Sequence, residues 1–119
     1  MTTRLVPDRS EAMKIGFQAT DWAQAVDYAA YEAALQDWDV KAVERDGKYI
    51  GAAFFRGDEV HTSIMPEWRR RWVTKGLLKD LFANGRVTTR VTPGHEYMHD
   101  ILRRLGFAQA QDGWFVKER

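Results

Sequence analysis

Along the chain the spacing of apolar residues switches between the helical and the strand period. Residues 2–6 read as a short strand closed by Pro7 and Asp8. Ser10 then caps a short helix with Met13 and Phe17 one turn apart and Gly16 as the point where it loosens or ends. Asp21 opens a second helix in which Trp22, Ala25, Val26, Ala29, Ala30, Ala33 and Ala34 recur at three- and four-residue spacings, so something is expected to pack closely on this alanine face. From Asp39 the period becomes two. Residues 40–45 and 49–55 are strands joined by Asp46 and Gly47, a pair favoured in two-residue hairpin turns. Gly57 and Asp58 turn the chain into a third strand, residues 59–65, which Pro66 stops.

A third helix is expected next, with Val73, Leu77, Leu78, Leu81 and Phe82 on its apolar face and Arg71, Lys75 and Lys79 on another, ended by Asn84 and Gly85. Residues 86–92 suit a strand, Pro93 and Gly94 a turn. Tyr97, Met98, Ile101, Leu102 and Leu105 mark a last helix that Gly106 terminates, before a hairpin of residues 107–111 and 114–117 around Asp112 and Gly113. The order is strand, two helices, three-strand meander, helix, strand, helix, hairpin. It predicts an α+β (mixed α/β) fold with helices covering a sheet, and the absence of repeats and linkers predicts one domain over residues 1–119.

Composition narrows the chemistry. The 119 residues include no Cys, which excludes a disulfide framework, a thiolate nucleophile and a Cys-ligated zinc. No stretch approaches the roughly 18 apolar residues of a membrane span and the first residues lack a signal-peptide core, so a cytoplasmic location is expected. The net charge of +1 hides an uneven distribution: residues 1–64 carry 7 basic and 11 acidic side chains, residues 65–119 carry 11 and 6. An anionic partner would meet the second part. Trp68 and Trp72 are interleaved with Arg69, Arg70 and Arg71, but no nucleic-acid motif accompanies them, and nucleic acid is not the expected partner.

Residues 95–99, HEYMH, formally match the H-E-x-x-H zinc motif through His95 and His99. Pro93 and Gly94 put His95 in the first turn of its helix, Leu102 and Leu105 occupy the positions of the extended motif's Gly and His, and a catalytic zinc needs three protein ligands. The favoured reading is a helix exposing His95, His99 and Arg103; a zinc peptidase is the distant alternative.

Two segments carry a family resemblance. IMPEWRRRWVTKGLLKDLF, residues 64–82, resembles the strand end, pyrophosphate loop and helix of the GNAT acetyltransferase family, and GHEYMHDILRRLGF, residues 94–107, resembles the helix that its members end in Leu-Gly-Phe. The resemblance implies a GNAT-like sheet flanked by helices, acetyl-CoA as cofactor, an amine as acceptor, and direct attack of that amine on the thioester. The loop of the family reads R-x-x-G-x-G/A. From Arg69 its two small positions hold Trp72 and Thr74; from Arg71 they hold Thr74 and Gly76. The implied cofactor-binding residues are Ile64, Met65, Arg69, Arg70, Arg71, Trp72, Val73, Thr74, Lys75 and Gly76. The family's Tyr acid corresponds to Leu102, which cannot donate a proton, its Asn to His95, and a base to Glu59 or His61. The reduced signature is also similar to bacteriophage GNAT-like proteins, including internal virion proteins of short-tailed phages. That implies an alternative in which the fold is kept without catalysis, with virion proteins as partners and no cofactor.

Overall fold

A computed structural model describes residues 3–20, 26–69, 71–72, 74–82, 85–91 and 96–118, with the side chains of Lys75 and Leu78 left aside. Strands β1 (Thr3–Val6), β2 (Asp39–Arg45), β3 (Lys48–Arg56), β4 (Glu59–Ile64), β5 (Val87–Arg90), β6 (Ala108–Gln109) and β7 (Trp114–Lys117) form one sheet in the order β1-β2-β3-β4-β5-β7-β6. Every neighbouring pair is antiparallel except β4 with β5. Helices α1 (Arg9–Ala19) and α2 (Tyr28–Ala34) pack on one face, and α3 (Lys75–Leu81) and α4 (Tyr97–Arg104) on the other. This is the α+β sheet-and-helix layer that the periodicity predicts.

The β2–β3 hairpin turns at Asp46 and Gly47, both at positive φ (53° and 83°), the backbone of a tight primed turn. A register shift between Val43 and Glu44 then skips Ile50, since Val43 faces Gly51 while Glu44 faces Tyr49. This bulge lets Tyr49 pack toward α1 and α2 while Ile50 joins the opposite core with Ala53, breaking the simple alternation of the strand.

Three expectations about helices are corrected. Helix α1 is capped by Asp8, whose carboxylate accepts from the Glu11 amide at 3.2 Å, two residues before the predicted Ser10. It also runs through Gly16 to Ala19. Gly16 is a close-approach residue: a Cβ there would lie 2.7 Å from Tyr31 Oη and 2.9 Å from Phe54 Cζ. Helix α2 starts at Tyr28, capped by Asp27 accepting from the Ala30 amide at 2.8 Å; the predicted cap Asp21, with Trp22 and Ala25, lies outside the described residues. Its buried residue is Tyr31, while Ala29, Ala30, Ala33 and Ala34 are exposed. Alanine favours helix without requiring burial, so its spacing does not by itself mark a packed face. Helix α3 starts at Lys75, so Arg71 precedes it and cannot share a helical stripe with Lys79.

The core has one part on each face of the sheet. Ile50, Trp72, Leu77, Leu102 and Phe115 belong to the α3–α4 side, and Ala12, Met13, Tyr31, Val40 and Phe54 to the α1–α2 side. No described helix is long and apolar enough to cross a membrane.

Candidate active site

The parallel pair β4–β5 holds together at one registered position, Glu59 with Thr88, where the Thr88 amide donates to Asp58 O at 2.7 Å. Beyond it the strands part. The split opens a cavity of about 280 Å³ between His61–Ile64 of β4 and Thr89–Val91 that the end of α1 and the side chains of Tyr97, Met98 and Leu102 also line. On β4 the Met65 amide pairs back to Ile50 O of β3 at 2.8 Å, so by alternation Thr62 and Ile64 turn their backbone groups toward the split. Unlike a continuous ladder, this geometry leaves strand amides facing a cavity, at the carboxyl ends of two parallel strands where open sheets characteristically hold ligands.

Arg69 closes one end. Its Nε donates to Ile64 O at 3.0 Å and its Nη2 to Ala19 O at 2.9 Å, tying the end of β4 to the C-terminal end of α1, where a cation is favourable. Beside it Thr20 Oγ1 donates to Gly16 O at 2.7 Å and lies 3.1 Å from Ser63 Oγ. Thr20, His61 and Ser63 form a common wall between the split and a recess of about 220 Å³ on the α1–α2 side, lined also by Tyr31, Leu35, Trp38, Phe54 and Glu59.

Glu59 and His61 point to the same side of β4, two residues apart, and His61 Nε2 lies 2.5 Å from Glu59 Oε2. Glu59 Oε1 lies 3.5 Å from an Arg56 nitrogen. An ionised carboxylate only accepts, so a neutral His61 carries its proton on Nε2 and leaves Nδ1 as the acceptor. The imidazole also contacts the rings of Trp38 and Trp114, at centroid distances of 5.7 and 6.2 Å.

No family model and no curated protein sequence matches the chain. Solved structures do. A GCN5-related N-acetyltransferase from Rhodopseudomonas palustris superposes with a TM-score of 0.66 at 17% identity, covering 99% of this chain and 95% of that one. AAC(6')-Ib in complex with paromomycin and acetyl-CoA gives 0.71 at 11% identity, covering 100% and 94%. The chain has the GNAT fold. PaiA N-acetyltransferase from Thermoplasma acidophilum in complex with coenzyme A gives 0.62 at 12% identity, with both chains fully covered.

Within this GNAT fold the residues singled out from sequence separate. Glu59 and His61 are brought together, and His61, Ile64, Arg69 and Trp72 line the split cavity. Trp72 is 5% exposed and belongs to the core; it walls the split from the α3–α4 side rather than presenting a face for stacking. The Met65 amide is committed to β3. Arg71 is exposed, its guanidinium 4.6 Å from the Trp68 ring, and its carbonyl accepts from Arg45 Nη1 at 2.5 Å. Thr74 Oγ1 accepts from the Leu77 amide and donates to Thr3 O, both at 3.3 Å, so it starts α3 and ties it to β1, while Gly76 is exposed in the first turn. Arg70, Val73, His95 and the Lys75 side chain lie outside the described residues.

His99, expected on an exposed face, is half-buried with its ring 5.2 Å from that of Phe115. The described residues contain no group of three or more His, Cys, Asp or Glu that would hold a metal ion. Leu102 is buried in the core. The phenol on this stretch of α4 is instead Tyr97, which lines the split, and pattern reading assigns it to the core because it shares the apolar spacing of Met98 and Ile101. Thr20, Ser63 and Trp38 were likewise unmarked: single hydroxyls and a lone Trp carry no motif, and only the folded sheet brings them to His61.

Proposed function

We propose that the protein is an acyl-CoA-dependent N-acyltransferase, with the split between β4 and β5 as its donor site. The observation that carries this reading is the parting of the parallel strands after Glu59 and Thr88, which leaves the backbone of Thr62 and Ile64 facing a cavity with His61 on its wall. Structures of the same fold hold acetyl-CoA or coenzyme A, which supports the choice of donor.

The cavity fits the thioester end of such a donor. Its wall alternates the hydroxyls of Thr62, Ser63 and Thr89 with the apolar Ala19, Ile64, Val91 and Met98, a mixture suited to an amide-bearing chain. From the following segment Arg69 and Trp72 line the cavity, and Arg71 is an exposed cation for phosphate. When bound, acyl-CoA supplies an activated acyl carbonyl and a sulfur leaving group. The amide of Thr62 is the candidate donor toward that carbonyl. His61 Nδ1 accepts the proton of the acceptor amine, and Glu59 holds the imidazole in the tautomer that makes this possible. Tyr97 Oη is the phenol on the same cavity, able to give a proton to the leaving group in place of the acid that Leu102 cannot be.

The test is release of free thiol from acetyl-CoA in the presence of amines. His61→Ala is expected to lower kcat about 10²-fold or more, the usual scale for losing a positioned base. Glu59→Gln should fall between this and the wild type, and Tyr97→Phe should lower kcat with little change in KM. Full activity of His61→Ala would remove it from the mechanism. The phage structural or interaction role and the zinc peptidase find no support among the structural neighbours; the former becomes the reading if no CoA species binds.

A further inference from the structure

A small apolar void lies beneath the split, on the α3–α4 side of the sheet. It measures about 50 Å³ and shares Thr62, Trp72, Thr89, Met98 and Leu102 with the split, so the two meet along a common wall. The void sits nearer the point where the strands join. The split is bordered by residues 61–64 and 89–91, whereas the void adds Val60 and Val87, the neighbours of the registered pair Glu59 and Thr88. Its far side is closed by Leu81, Phe82, Ile101 and Phe107, and none of the side chains that line it carries a charge. Packing fixes these walls. Val60, Leu81, Val87 and Phe107 are all buried, and the rings of Phe82 and Phe107 meet edge to face at 5.5 Å.

We propose that this void receives the acyl chain of the donor, and that the donor is an acyl-CoA whose acyl group is uncharged and longer than acetyl by about two carbons. This rests on the assignment of the split as the donor site. A thioester lying along the split, with its carbonyl at the Thr62 amide, points its acyl chain toward the convergence of β4 and β5, where the void opens. His61 lines the recess on the opposite, α1–α2 side and not the void, so a chain in the void leaves the imidazole clear. Volume sets the length. A water molecule's share of liquid volume is about 30 Å³ and a methylene group is of similar size, so the void has room for about two methylenes. Each one buried is worth roughly fourfold in affinity, or about fifteenfold for the pair. A chain of the same length ending in a carboxylate would bury an ionised group among apolar side chains with no cation beside it, which costs more than the methylenes return.

Calorimetric titration of the full chain with acetyl-CoA, butyryl-CoA and succinyl-CoA tests this. The expected result is that butyryl-CoA binds about fifteenfold more tightly than acetyl-CoA, and succinyl-CoA no more tightly than acetyl-CoA. Val60→Ile, which adds a methylene to the wall, should reduce the butyryl advantage to about fourfold, and Ile101→Phe to within about twofold, each with the affinity for acetyl-CoA unchanged. Equal binding of acetyl-CoA and butyryl-CoA by the wild type, or tighter binding of succinyl-CoA, overturns the proposal without reference to any variant and leaves the donor site standing. A butyryl advantage that survives intact in both variants places the chain on another surface and overturns the proposal as well. Failure of all three to bind removes the donor reading and this one with it.

Discussion

Two residues show how a chemical type acquires a role from its neighbours. Arg69 belongs to a basic run that reads as a phosphate binder, yet two of its hydrogen bonds go to Ile64 O and Ala19 O. Hydrogen bonds to a charged group contribute about 1.5–3 kcal/mol each, so Arg69→Ala should lower unfolding free energy in urea by at least about 2 kcal/mol. A variant as stable as the wild type would show that the tie between β4 and α1 is dispensable. Burial pushes the Tyr31 phenol far above its ordinary value, reinforced by Tyr28, and burial together with the hydrogen bond to Asp8 raises Tyr49. A pKa raised by folding stabilises the fold below the unfolded value, about 10 for tyrosine, and that stability is lost as pH rises further. The thermal midpoint should therefore decline above about pH 10. The decline should be shallower in Tyr31→Phe; parallel curves would contradict the assignment.

At the scale of elements, contact between α1 and the sheet sets the shape of both cavities. Gly16 allows it, and Gly16→Ala is expected to lose about 1–3 kcal/mol by overpacking against Tyr31 and Phe54, more than the roughly 1 kcal/mol that alanine returns in helix propensity. Urea denaturation checks this, and a gain in stability would mean that α1 can move outward at little cost. Most strands and turns were legible in the sequence because period-two alternation and Asp-Gly turns are local. Helix starts were less so, since Asp8 and Asp27 cap where Ser10 and Asp21 have equally suitable side chains, and only tertiary packing selects between them. Glu59 and His61 were visible as polar residues two apart on one strand. The Thr20–Ser63 contact and the place of Tyr97 were not, because they join residues from separate elements.

Across the whole molecule, strand order decides what these groups can do. Placing β5 beside β4 in parallel, with one registered pair, converts a sheet into a pair of diverging edges. Of the five basic residues between Arg69 and Lys79, Arg69 lines this opening, and Arg90 of β5 lines it as well. Trp72, which stands where one register of the family loop has a small residue, is accommodated by burial in the core. The most direct test of this account is calorimetric titration of the full chain with acetyl-CoA. Binding at micromolar strength, enough to add about 2.7 kcal/mol of stability at a hundredfold excess over Kd, is the predicted result; no heat of binding at millimolar acetyl-CoA would contradict the donor site.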